Sequence, residues 1–246
     1  MNIFLVLSFL FFIGSVSGWV MELLFRRFLS SANPEKKWIN PGFCTGPYLP
    51  IYGYCLCVLY LITMLEGFMP KENVVLDKII LFVFMAFSMT AIEYIAGIIS
   101  LKCNNVRLWD YSDEWGNIQG IICPKFSLIW AVLGAIYYFL IHPHILVALH
   151  WLSMNKTYSF VIGFFFGIFI VDAVHSTHLL VKLKKFAEEN DVVLKYEALK
   201  SNIRSYHEKT KEKYHFLFPF KSNRPLFEHL KEYIDTFEKK EKKLKK

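Results

Sequence analysis

The chain has 246 residues and a net charge of +7, and 54% of its residues are hydrophobic and 17% aromatic. These fractions are higher than a soluble domain of this length needs to build its core. The composition therefore excludes an ordinary soluble domain and predicts a protein that lies mostly in lipid.

Five apolar stretches are long enough to cross a bilayer as helices, because about 20 helical residues span its hydrocarbon core of about 30 Å. The first is interpreted as a retained helix rather than a signal peptide, since it lacks a basic leading segment and runs on to Arg26 and Arg27. The sequence predicts an all-α fold, a polytopic membrane helical bundle of about five transmembrane helices with a helical tail. The predicted spans are 3–25, 48–65, 79–100, 121–141 and 158–180, in a transmembrane domain over 1–180 that precedes a tail over 181–246.

Acidic side chains interrupt three of these stretches. Glu22 lies in the first and Glu93 in the third, and Asp172 lies at a similar predicted depth in the fifth, followed at i+3 by His175. A charge near the bilayer centre costs at least about 2.5–3.5 kcal/mol, so we expect these groups to face a polar interior. They favour a polar substrate or proton pathway. Structural pairing of the acids with the two arginines after Glu22 and a divalent-cation site are the alternatives, but the spacing is no metal signature, so no metal or cofactor is predicted.

The connection before span two, residues 38–53, is rich in glycine and proline. Irregular backbone at membrane depth requires protein or water to satisfy its amides, so we interpret this segment as a re-entrant or broken helix, with a tight loop as the alternative. A helix beginning near Pro47 or Pro50 would expose N–H groups suited to an anionic ligand group. The candidate site residues here are Asn40, Gly46, Pro47 and Tyr52.

The connection before span four places acid, amide and aromatic groups together over residues 108–120. Trp and Tyr there also serve as interfacial anchors, which is the alternative interpretation of the aromatic pair. The candidate site residues are Trp109, Asp110, Tyr111 and Asn117.

The tail holds eighteen of the 28 basic residues. Apolar residues at three- and four-residue steps predict a charged helix over 182–216, an aromatic turn over 216–220 at the lipid headgroups, and a second helix after Pro225. A solvated helical hairpin and a surface that binds anionic lipid through the terminal lysine pairs are both open. No nucleic-acid-binding module accompanies the charge, so no nucleic acid is predicted as a partner.

Basic residues also predict the orientation of the chain. The connections after spans one and three are richer in Lys and Arg than the two opposite connections. The positive-inside rule therefore predicts a multi-pass protein of the cell membrane with its N-terminus outside and its C-terminus in the cytoplasm. An odd number of spans is consistent with that orientation.

Several motifs occur together in one order over roughly residues 10–145. They are Gly14 to Glu22, Asn40-Pro-Gly-Phe43, Gly46-Pro-Tyr-Leu-Pro-Ile-Tyr-Gly53, Glu93-Tyr94, Trp109-Asp-Tyr-Ser112 and Asn117-Ile-Gln-Gly120. In this pattern the chain resembles the putative ABC-transporter type IV family of bacterial membrane proteins. The resemblance implies an integral membrane protein of transporter type without an established substrate. Arginine is usual in that family where this chain has Pro41 and Ile121, so no role of those arginines carries over.

The sequence thus predicts a transport protein, either a permease subunit of ABC type or a permease-like carrier, with an acid-lined site near the cytoplasmic side. The chain contains no phosphate-binding GxxxxGK[ST] loop, so an ATP-driven version requires a separate nucleotide-binding ATPase subunit. Homo-oligomerisation is a further expectation. The alternatives are a membrane enzyme acting on a lipid or amphiphile through Asp110, Glu93 and His175, although no nucleophile motif supports it, and a scaffold or regulatory protein acting through its tail.

Overall fold

The computed structural model describes residues 2–30, 33–69, 73–212 and 214–244, with side chains up to residue 236. Within these residues, five helical segments are long and apolar enough to cross a membrane. This confirms the predicted all-α membrane bundle and its five spans. The segments are Ile3–Phe28, Pro50–Phe68, Val74–Asn104, Pro124–Met154 and Lys156–Glu189.

The first three spans contain the helices α1, Ile3–Phe28, α2, Pro50–Leu65, and α3, Val74–Asn104. Asn2 caps α1 and Asn73 caps α3 with their side-chain oxygens, while Pro50 opens α2, where a missing N–H costs no helical bond. One end of the bundle carries the connections 33–49 and 105–123 and the tail that follows the last span. We call this end the tail side.

The fourth span is longer than the predicted 121–141. It consists of α4, Pro124–Ile136, a π-helical turn, Tyr137–Ile141, and α5, His142–Met154. Pro143 lacks an N–H and would clash with the preceding turn of a regular helix. The wider π-helical turn just before it absorbs this conflict, so that the helix continues where the sequence suggested an end.

Small residues bring α1 and α2 into close contact. A Cβ atom on Gly53 would lie 2.7 Å from the carbonyl oxygen of Phe11, and one on Gly14 would lie 2.9 Å from the carbonyl oxygen of Tyr52. Close helix approach through small residues is the usual way in which membrane helices pack, because lipid removes the hydrophobic driving force between them. The first two spans therefore form a tight pair that fixes Glu22 relative to Tyr52.

The helix of the fifth span, α6, Ser159–Glu189, continues past the predicted end at residue 180 into the tail. The prediction of one helix over 182–216 is wrong, because the chain turns after Glu189 and Asp191 adopts φ of 50°. Residues Leu194–Lys195 then form β2, which pairs in parallel with β1, Val106–Arg107, from the connection after α3. Pairing with a partner distant in sequence overrode the local helical periodicity.

Two further helices complete the tail, α7, Tyr196–Thr210, and α8, Leu226–Leu244, the latter at the predicted position after Pro225. Their apolar faces and the end of α6 bury a separate hydrophobic cluster. Phe220, in the predicted aromatic turn, contacts the ring of Tyr196. The cluster includes Val106, Leu183, Phe186, Leu194, Leu199, Ile203 and Leu230.

The tail is therefore packed against the tail side of the bundle. Lys195 forms an ion pair with Asp110 at 2.6 Å, and Lys37 pairs with Glu208 at 2.6 Å. The terminal lysine pairs on which the lipid-binding prediction rests have side chains outside the described residues, so that prediction stays open.

Candidate functional site

A cavity of about 430 Å³ lies at the tail side of the bundle. Its walls come from the last turns of α1, the start of α2, the middle of α3 and the first half of α4, and α7 of the tail covers one part of it. Pockets of this size, mostly apolar with a few convergent polar groups, are typical binding sites. Five residues predicted from the sequence line it, namely Glu22, Tyr52, Glu93, Trp109 and Tyr111.

Aromatic rings form much of the cavity wall. Those supplied by the membrane helices are Phe25, Tyr52, Phe126 and Trp130. Tyr52 contacts Trp130 with ring centroids 5.2 Å apart, so these two side chains support each other across α2 and α4.

The connections and the tail supply the other aromatic rings, from Phe43, Trp109, Tyr111 and Tyr196. Tyr111 stacks on Phe126 at 4.2 Å between centroids, and the indole N–H of Trp109 donates to the carbonyl oxygen of Ile121 at 2.8 Å. The Trp109 and Tyr111 side chains are therefore held inward by specific contacts, which a purely interfacial anchor would not require.

Glu93 is the most deeply placed charged group of the cavity, with 3% of the residue exposed. Its Oε1 accepts a hydrogen bond from the Tyr111 hydroxyl at 3.1 Å. Its Oε2 is buried and meets no donor with hydrogen-bond geometry among the described residues, although the Trp130 indole lies close to the carboxylate. Burial and the Glu93 carboxylate raise the pKa of Tyr111, so the phenol stays protonated and remains a donor.

A row of four alternating charges runs beside the cavity, and three of its members, Glu22, Arg26 and Glu197, line it. Arg26 contacts Glu22 and Glu197, each at 2.9 Å, and Glu197 contacts Lys200 at 2.9 Å. The Tyr52 hydroxyl donates to the second oxygen of Glu22 at 3.2 Å. Burial opposes ionisation of Glu197, but Lys200 and Arg26 hold the pKa of that carboxyl below its usual value. Glu22 is thus a paired carboxylate, whereas Glu93 has no cationic partner in the part of the chain that the structure describes.

Asp172 is not in this cavity. Its carboxylate accepts hydrogen bonds from the backbone N–H groups of Thr45, at 3.2 Å, and Gly46, at 2.8 Å, and from the hydroxyl groups of Thr45, Tyr48 and Ser176. The Thr45 and Gly46 amides, which lie just before the helix start suggested near Pro47 or Pro50, therefore bind a carboxylate of the protein itself.

The segment 40–49 has no helix of its own before α2 begins at Pro50. The Leu49 N–H donates to the carbonyl oxygen of Ser15, halfway along α1, at 2.8 Å. The segment thus enters the bundle as irregular backbone whose amides are satisfied by protein, as lipid requires. The predicted broken helix is absent from it. Pro47 is exposed there, while Gly46 leaves room for the Tyr48 ring.

Asn40 is buried and links three parts of the chain. Its Oδ1 accepts from the Trp19 indole at 2.9 Å and from the Gly42 N–H at 3.1 Å, and its carbonyl oxygen accepts from Lys200 at 2.9 Å. Asn40 therefore positions the cavity wall at Pro41 and does not itself line the cavity.

Asp110 and Asn117 organise the second connection. Asp110 accepts from Arg107 at 2.9 Å and pairs with Lys195 of the tail. Burial works to raise the pKa of Asp110, but bonds from Lys195 and Ser112 lower it to about 2. Asn117 donates to the carbonyl oxygens of Ser112 and Glu114 and closes a compact loop. Both residues hold the loop that presents Trp109 and Tyr111.

His175 is exposed on α6, although Asp172 and Ser176 are buried. Residues at i+3 and i+4 lie on either side of residue i around a helix. The packed face of α6 includes Asp172 and Ser176, at i and i+4, but not His175 at i+3. The acid–base trio of the enzyme alternative is not assembled, because Asp110 and His175 lie outside the cavity that Glu93 lines. Among the described residues, no group of three or more His, Cys, Asp or Glu side chains could hold a metal ion.

Three tail residues belong to the site but were missed from the sequence, namely Tyr196, Glu197 and Lys200. The signal was present in α7, because Lys200 falls within the apolar stripe formed by Tyr196, Leu199 and Ile203. A lysine on the buried face of an amphipathic helix requires an acid or a carbonyl partner.

A family model described as putative ABC-transporter type IV matches residues 9–177. The matched residues contain the second, third and fourth spans in full and most of the first and the last, and they end before β2, α7 and α8. No curated protein and no solved structure matches the chain.

Proposed function

Because the chain belongs to the putative ABC-transporter type IV family, we propose that it is a transport protein whose substrate binds in the cavity between Glu22 and Glu93. The chain is a multi-pass membrane protein. In this proposal the tail side faces the cytoplasm of the cell and the N-terminus lies outside, as the basic residues of the connections indicate.

The observation that carries the proposal is the free oxygen of Glu93. A carboxylate 97% buried inside a membrane bundle is costly unless something rewards it. Oε2 has no hydrogen-bond partner among the described residues, and Glu93 is one of the residues that line the cavity of about 430 Å³. A residue kept only for structure would pair both oxygens, as Asp172 does. The unpaired oxygen supports a ligand that completes the site.

The energy source divides the proposal into two versions. A permease subunit would recruit a separate ATPase at the tail side, on the connections 26–40 and 101–118 or on the tail. These surfaces are partly occupied by the protein's own contacts, since Lys37 pairs with Glu208 and Asp110 with Lys195. That arrangement favours a carrier, or an ATPase that docks mainly on the outer face of the tail.

The function is tested by comparing metabolites in cells that express the wild type, Glu93→Gln or Asp77→Asn. Asp77 lies in the first turn of α3, away from the cavity, and is the matched control on the same helix. We expect at least one small molecule whose distribution across the membrane changes with the wild type and with Asp77→Asn, but not with Glu93→Gln. Identical profiles for all three proteins at equal expression would contradict the proposal.

Purification from native membranes in mild detergent, followed by mass spectrometry, separates the two versions. A stoichiometric nucleotide-binding subunit would support the ABC-type permease. Recovery of the chain alone, with the Glu93-dependent metabolite change retained, would support the carrier.

A further inference from the structure

We infer that the ligand of this cavity is a hydrophobic organic cation, held by the Glu93 carboxylate as its counter-ion and by the aromatic walls around it. This inference rests on the proposed function, because it assigns a chemical class to the substrate of the same site. It follows from three features of the cavity: the balance of its charges, the environment of Glu93 and the nature of its walls.

The first feature is that every other charge at the cavity is neutralised by a neighbour. Glu22, Arg26, Glu197 and Lys200 alternate in sign, and each successive pair is separated by 2.9 Å. The two negative and two positive charges of this row sum to zero. Arg26, the one basic residue among the described residues that line the cavity, is already engaged by two carboxylates.

The second feature is the single unbalanced charge. Among the described residues, no Lys, Arg or His forms an ion pair with Glu93, and its neighbours Tyr111 and Trp130 are neutral donors. Its Oε2 is buried without a hydrogen-bond partner among the described residues, and other parts of the Glu93 residue line the cavity. A buried carboxylate in this state is stabilised most by a positive group beside it. The cavity is therefore complementary to one positive charge.

The third feature is the wall itself. Tyr52, Trp109, Tyr111 and Trp130 offer ring surfaces to a ligand, and rings of this kind attract cations through their negative faces. The remaining lining includes Leu133, Ile129 and Ala96, which suit alkyl or aryl groups. An anionic ligand would instead meet three lining acids and only one base, so the charge of the site opposes it.

The test measures binding of tetraphenylphosphonium and tetraphenylborate to the purified full-length protein by equilibrium dialysis in a non-ionic detergent. The two ions carry the same four phenyl groups and differ in the sign of their charge. Phenyltrimethylammonium, a smaller cation, is measured in the same way so that ligand size does not decide the result. We expect saturable binding of at least one cation at one site per chain, and no saturable binding of tetraphenylborate.

The matched variants identify the counter-ion. Glu93→Gln should weaken cation binding by about tenfold or more, since it removes the charge but keeps the shape. Glu93→Asp keeps the charge and should retain most of the affinity, and Asp77→Asn should bind as the wild type does. Retained binding by Glu93→Asp and Asp77→Asn shows that a substitution on α3 does not by itself unfold the protein. Gel filtration of each variant checks that it is folded.

Three results would overturn the inference. The first is tetraphenylborate binding at least as tightly as the cations, the second is failure of both cations to bind, and the third is equal cation binding to the wild type and Glu93→Gln. If the metabolite comparison still depends on Glu93, any of these results contradicts the cationic ligand and leaves the proposed transport site in place. If the metabolite comparison does not depend on Glu93 either, the proposed transport site is contradicted as well.

Discussion

Arg26 near the end of the first span and Glu197 at the start of α7 form an ion pair, with Nη1 and Oε2 2.9 Å apart. The same guanidinium holds Glu22 of its own helix at 2.9 Å. Through this contact the tail forms part of the cavity wall. Deletion of residues 181–246 should therefore disturb the cavity as well as any partner site, and it cannot by itself distinguish a scaffold from a transporter.

Arg26→Met should destabilise the protein by about 1–3 kcal/mol, because it leaves Glu22 without its cation and leaves Glu197 with Lys200 alone. The value lies below the range for fully buried pairs because the side chains of Arg26 and Glu197 are 22% and 35% exposed. Thermal unfolding in detergent measures the change. In a double-mutant cycle, Arg26→Met and Glu197→Gln should lose less together than the sum of their separate losses. Additive losses would show that the pair does not couple the bundle to the tail.

Asp172→Asn should destabilise the segment 40–49 by about 2 kcal/mol or more, because an amide cannot accept all the hydrogen bonds that the carboxylate accepts from Thr45, Gly46 and Tyr48. Limited proteolysis at this segment and thermal unfolding report the change. His175→Gln is the matched control on the same helix and should behave as the wild type, since His175 is exposed. A comparable loss of transport in both variants, without a loss of stability, would instead support a proton pathway through α6.

Gly53→Ala should cost about 1–3 kcal/mol, because the added methyl group would lie 2.7 Å from the carbonyl oxygen of Phe11, which is backbone and cannot rotate away. Gly163→Ala provides the control. Nothing lies within 4 Å of a Cβ atom at Gly163, so the change should be neutral or stabilise the helix by up to about 1 kcal/mol. Equal melting temperatures for the two variants would contradict the close α1–α2 packing.

The tail should loosen as the pH falls. His229 is fully buried, and burial, the charge of Arg224 and the nearby His207 lower its pKa, while Glu232 and Glu212 oppose that shift. A histidine whose pKa is lower in the folded state stabilises the fold above its unfolded pKa of about 6.5 and loses that stability as the pH falls further.

Hydrogen exchange, corrected for its intrinsic pH dependence, should show less protection of α7 and α8 at about pH 5.5 than at about pH 7.5. His229→Phe keeps a ring beside Tyr206 and removes the titration, so it should reduce this difference. Protection that falls equally in wild type and variant would assign the pH effect to other groups.

Much of the architecture was predictable because lipid imposes strong local rules. Apolar stretches of sufficient length identified all five spans, and Glu22 and Glu93 marked the cavity because hydrocarbon makes an ionisable group expensive. Asp172 had the same signature, yet it anchors the backbone of segment 40–49. Sequence shows that a buried acid needs a partner, but not whether the partner is a ligand or the chain itself.

The sequence by itself determined the class of the protein, its helices, its family resemblance and the residues Glu22, Tyr52, Glu93, Trp109 and Tyr111 as candidates, because helical period and hydropathy are local properties. The tertiary structure decided which of these residues meet. It paired β1 with β2, brought α7 over the cavity and buried Oε2 of Glu93 without a hydrogen-bond partner among the described residues. The first two features depend on contacts between segments about 90 or more residues apart, whose energies no local pattern records.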